Sequence, residues 1–101
     1  MKTLKQLQVE HVSDMLLNEM RKEITVLEIR CEEITNGLIP FCYARKSIKM
    51  GIERYCIILN RFNRLISKYP VRDGYDYDLR TDDKLSSRFS IVRDFYYNTN
   101  K

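Results

Sequence analysis

The chain has 101 residues, which is room for one domain, and its 44% apolar and 32% charged residues exclude an unfoldable, low-hydropathy composition. Its longest apolar runs, such as residues 56–59, are far too short to cross a bilayer, and the opening residues carry no apolar signal core. The expectation is therefore a chain that neither spans a membrane nor is exported. Three cysteines at 31, 42 and 56 are odd in number and irregular in spacing, which argues against a disulfide framework. Reduced thiols that pack as small buried hydrophobes are the simpler reading. The net charge of +4 is unevenly placed: residues 1–37 sum to −2, residues 38–72 to +7 and residues 73–101 to −1.

The first predicted helix covers residues 8–34. Val9, Val12, Leu16, Met20, Ile24, Leu27, Cys31 and Ile34 recur at steps of three and four, one face of a 3.6-residue helix. At 1.5 Å per residue this helix is roughly 40 Å long. Asn36-Gly37 should end it, with Gly37 in the left-handed position after the last turn and Leu38 packing back onto that turn. Pro40 then suits the opening of the next helix, where its missing N–H costs little.

The second predicted helix covers residues 41–69 and stops at Pro70. Its apolar stripe is Ile48, Ile52, Tyr55, Leu59, Phe62 and Ile66, stepping 4, 3, 4, 3, 4. Gly51 inside a helix costs about 1 kcal/mol relative to Ala, so the position predicts a close helix crossing. Eight Lys or Arg stand against one acid, Glu53, over residues 38–72. This basic surface has three readings: a solvated face partly neutralised by the acidic first helix, a set of ion pairs to another chain, or contact with nucleic-acid phosphates.

Residues 71–82 read as an ordered loop with a turn at Asp73-Gly74, and with Tyr75 and Tyr77 lying across the helix ends. A third, shorter helix starts at Asp83 or Ser86 and runs to Tyr97, capped by Asp82, Asp83 or Ser86. Its apolar stripe is Leu85, Phe89, Val92 and Phe95 or Tyr96. The fold class expected is all-α: two long antiparallel helices and a shorter C-terminal one. So short a third helix should leave part of the long stripes uncovered, and exposed apolar stripe points to a partner. On that reading the lone chain is poorly soluble or partly molten and is stabilised by neighbours.

Catalytic chemistry finds no support. His11 is the single histidine, and no Cys–His or Ser–His spacing can be argued. Metal-ligand spacing and a Gly-rich phosphate loop are both missing, so neither a metal nor a cofactor is expected. Glu32-Glu33 and Asp82-Asp83 read as helix-end solvation and capping, and the chain reads as non-enzymatic.

The middle of the sequence resembles a known family. Leu38-Ile39-Pro40, fifteen residues, Cys56, and Arg64-Leu65 eight positions on match the N-terminal helical domain of the first subunit of the GINS replication complex. Arg54 matches the first of that family's basic pair, and Tyr55 stands in the second position. A long helix before Leu38, a loop after the basic helix and a terminal helix with Leu85-Ser86 and Phe95-Tyr96-Tyr97 agree in outline. The family's small β-rich C-terminal domain has no counterpart before the sequence stops at Lys101.

This resemblance implies a scaffold in the nucleus. GINS is a four-subunit helical assembly that joins the MCM helicase motor and the Cdc forty-five protein in DNA replication. The chain would bury apolar surface against sister subunits, the Sld-five subunit first among them. The implied contacts are Phe62, Leu65, Ile66, Phe95 and Tyr96, with Arg54, Arg61 and Arg64 forming cross-subunit ion pairs or facing DNA without reading its sequence.

Overall fold

The computed structural model describes residues 3–68 and 79–99, and within the last helix the side chains from Leu85 onward. Three helices account for these residues: α1 (Leu4–Thr35), α2 (Phe41–Lys68) and α3 (Leu79–Thr99). The architecture is all-α, two long helices and a shorter third.

α1 begins four residues earlier than its apolar stripe suggested. Thr3 caps it, its hydroxyl accepting from the Gln6 N–H at 3.1 Å while the Gln6 carboxamide oxygen accepts from the Thr3 N–H at 2.8 Å. This reciprocal pair satisfies two N–H groups that an α-helix leaves orphaned at its start. The other end closes as expected. Gly37 takes φ +75°, its N–H donates to the Ile34 carbonyl at 3.1 Å, and the Leu38 N–H donates to the Glu33 carbonyl at 2.9 Å. That is the Schellman arrangement, which satisfies carbonyls of the last turn. The apolar contact expected of Leu38 is not made: its side chain is 72% exposed. Ile39, one residue later, packs against the core in its place.

α2 runs antiparallel to α1, as paired positions show: Glu23 meets Arg54 and Leu27 meets Gly51. A Cβ built on Gly51 would stand 2.6 Å from Leu27 Cδ2 and 3.2 Å from Leu27 Cγ, so the close crossing inferred from the glycine is present. α3 lies antiparallel to α2. Tyr55 stacks on Phe89 with ring centroids 4.2 Å apart, and Phe41 meets Tyr96 at 6.1 Å. On its other flank α3 is tied to α1 by Arg88, which donates to Thr25 and forks onto Glu28, with Nε 3.0 Å from Oε2. A fork of this kind fixes geometry as well as attracting charge.

The core is one cluster built by all three helices, with Met20, Ile24, Leu27, Ile48, Tyr55, Leu85 and Val92 almost wholly sealed. Three expectations change. On α1 the buried positions are Ser13 and Leu17, whereas Val12 faces solvent and Leu16 is half-buried. The register is set by Val9, Met20, Ile24 and Leu27, and Ser13 falls four residues from both Val9 and Leu17 on that line. α3 begins at Leu79, inside the stretch expected to be loop, so Asp82, Asp83 and Ser86 lie within the helix and do not cap it. Acidic residues near the positive end of a helix favour such an early start. Through Leu85, Phe89, Val92 and Tyr96 α3 closes over α1 and α2, and the inner seams are covered within the chain rather than left for a neighbour. The turn at Asp73-Gly74, Tyr75 and Tyr77 lie outside the described residues.

The molecule is a rod of 54 × 20 × 18 Å with a radius of gyration of 16.1 Å. A compact domain of this length has a radius near ~13 Å, so this shape leaves long helix faces at the surface.

Candidate partner-binding surface

α1 and α2 differ in what they turn outward. α1 carries four basic and seven acidic residues, α2 seven basic and one acidic. On α2 the residues opposite the core include Tyr43, Met50 and Ile57, spaced seven apart, with Arg64 next in the series. Tyr43 is 81% exposed and Ile57 53%. Ser47, Arg54, Arg61 and Lys68 follow the same period four residues on. Alternating steps of four and three make one continuous row along the helix, apolar along much of its length and edged by cations.

α1 repeats the device with the opposite charge. Val12, Met15, Val26 and Ile29 are all exposed and lie on a single row with Glu19, Lys22 and Glu33, stepping 3, 4, 3, 4, 3, 4. This row stands on the far side of α1 from Met20 and Ile24. Between the two helices Arg54 Nε lies 3.3 Å from Glu23 Oε1, one ion pair in which the acidic helix neutralises the basic one.

The residues implied by the GINS resemblance divide into three groups. Arg54, Arg61 and Arg64 are exposed, and Arg64 lines a shallow depression with Asn60, Asn63, Ser67 and Lys68. Leu65, Ile66 and Phe95 are half-buried, with Ile66 against the core. Phe62 and Tyr96 are buried in the chain's own core at 2% and 7% exposure, so these two side chains are engaged by α1, α2 and α3 already and are not an open surface. Val12 was assigned to the inner stripe, and Met50, Ile57, Met15, Val26 and Ile29 went unnoticed in the sequence because the inner stripes are stronger, yet the seven-residue spacing of Tyr43, Met50 and Ile57 was there to find.

Titration adds little chemistry. The Arg88 hydrogen bonds hold the Glu28 carboxyl below the usual carboxylate range, and the same pairing raises Arg88. Burial, then the Glu28 charge, pushes the Cys31 thiol up, which keeps it protonated and unreactive. All three cysteines are free; Cys31 and Cys56 are half-buried, whereas Cys42 is exposed rather than packed as a hydrophobe. Among the described residues no cluster of three His, Cys, Asp or Glu could hold a metal, and no helix is long and apolar enough to cross a membrane.

Comparison of the chain with protein-family models, curated proteins and solved structures finds no match.

Proposed function

We propose that this protein is a non-catalytic structural subunit of a hetero-oligomeric helical assembly, of the GINS type, acting in the nucleus in DNA replication. The observation that carries the reading is the pair of outward rows on α1 and α2. Their apolar side chains contribute nothing to the core, which is closed without them, yet they keep a helical period over about half of each helix. A row with this period is what a facing helix from another chain packs into. The cations along α2 favour a partner helix with acidic flanks, and the acids along α1 a partner with basic ones.

The resemblance carried by Leu38-Ile39-Pro40, Cys56 and Arg64-Leu65 supplies the candidate assembly. Within it this subunit holds its sisters in place, while the MCM motor hydrolyses ATP and the Cdc forty-five protein completes the helicase. Arg54, Arg61, Arg64 and Leu65 are then contacts at the subunit boundary. Co-expression with the other three GINS subunits of the same organism, followed by size exclusion, tests this. Co-elution of all four chains is the expected result, and a chain that runs alone under the same conditions would remove the assignment.

A further inference from the structure

A second surface of α2, distinct from its apolar row, faces α3. Here Arg45, Lys46 and Lys49 line a concavity of about 430 Å³ together with the edge of the otherwise buried Tyr96. Among the described residues no aliphatic side chain and no acid lines it. Tyr97, 59% exposed, sits edge-on to Tyr96 with ring centroids 5.4 Å apart. Arg93 lies one turn back along α3, its exposed side chain 3.8 Å from Asp94.

From this arrangement we infer that the α2–α3 concavity binds single-stranded nucleic acid, with the cations on the phosphates and Tyr97 as a platform for a base. An acidic protein helix would need an apolar stripe to pack on, as the outer row of α2 offers and this concavity does not. Three cations within one turn and a next, beside a phenol, match instead the several oxygens of a phosphodiester. A charged groove beside an exposed aromatic ring is the general means of holding a single strand without reading its sequence. The inference does not depend on the proposed assembly, since it uses other residues and another ligand.

The test is fluorescence anisotropy of a labelled 15-nucleotide oligo-dT with the 101-residue chain. Three phosphate contacts predict an affinity that falls roughly 20-fold between about 50 and about 200 mM salt. The double variant Lys46→Glu/Lys49→Glu should weaken binding by at least tenfold. Arg61→Glu/Arg64→Glu, which changes net charge equally on the outer row, should weaken it less than about threefold. Tyr97→Ala, at an exposed position that leaves the fold intact, should cost about fivefold. The inference is overturned by no binding at about 50 mM salt, by equal losses from the two charge-reversed pairs, by an unchanged affinity in Tyr97→Ala, or by displacement of the oligonucleotide by polyglutamate at equal charge.

Discussion

α1 and α2 are neighbours of similar length whose outward rows carry opposite charge. α2 turns Ile48, Ile52, Tyr55 and Phe62 inward and, outward, Tyr43, Met50 and Ile57 edged by cations. α1 is apolar on two sides: Met20, Ile24 and Leu27 seal the core while Val12, Met15, Val26 and Ile29 face away from it. A helix apolar on both sides normally lies between two packed layers. Among the described residues each of the two helices has only one, and the outer rows mark the uncovered sides. The inner faces fold the chain, and in the proposed assembly the outer faces meet another.

If that division is correct, inner and outer substitutions should differ sharply in stability. Tyr55→Ala should have the largest effect. It removes a ring that is 1% exposed and stacked on Phe89, and truncating a buried aromatic costs about 3–5 kcal/mol. Ile57→Ala, on the outer row of the same helix, should stay within about 0.5 kcal/mol. Urea denaturation of both variants measures the contrast directly, and similar losses would erase it.

Gly51→Ala probes the crossing of the two helices. The new methyl meets Leu27, whose own side chain is 2% exposed and has little room to move. Overpacking costs about 1–3 kcal/mol and the better helix former returns about 1 kcal/mol. A net loss of about 1 kcal/mol is expected by thermal melting, whereas a stabilised variant would show the crossing to be looser than described.

Smaller still is the Arg88 fork that ties α3 to α1. Both partners are more than a third exposed, so Arg88→Ala should cost only about 0.5–1 kcal/mol. Its pH dependence is more telling. A carboxyl lowered by folding stabilises the native state above its unfolded pKa, near ~4.3, and that contribution is lost as pH falls through the lower folded value. The difference between wild type and Arg88→Ala should therefore shrink as pH drops from about 6 to about 3. A difference that stays constant would mean that Arg88 acts through packing alone. Least perturbing is alkylation with iodoacetamide under native conditions, read by mass spectrometry. Exposed Cys42 should be modified first and Cys31 last, and early labelling of Cys31 would mean that α1 opens.

Much of the fold was legible because local signals agreed. The 3.6-residue period placed α1 and α2, Asn36-Gly37 and Pro40 placed the turn, and Gly51 marked the crossing. Thr3-x-x-Gln6 was also readable as a capping box but lay outside the stripe that defined the helix. Val12 misled because a helix with two apolar sides offers two registers, and only the packing of Leu17, Met20, Ile24 and Leu27 into the shared core selects the one that buries Ser13. α3 was placed late because aspartates suit both a loop and the opening of a helix. Of the surfaces, the cations of α2 were visible as charge, but their division into an apolar-edged row and a concavity beside Tyr96 depends on where α3 returns, which is a non-local property. The burial of Phe62 and Tyr96 is non-local for the same reason.

The most direct test of the division between inner and outer faces is the double variant Met50→Asp/Ile57→Asp, followed by urea melting alone and by size exclusion with the three GINS subunits. The account predicts a cooperative transition within about 1 kcal/mol of wild type together with loss of co-elution. A variant that unfolds, or one that still co-elutes at wild-type yield, would contradict it.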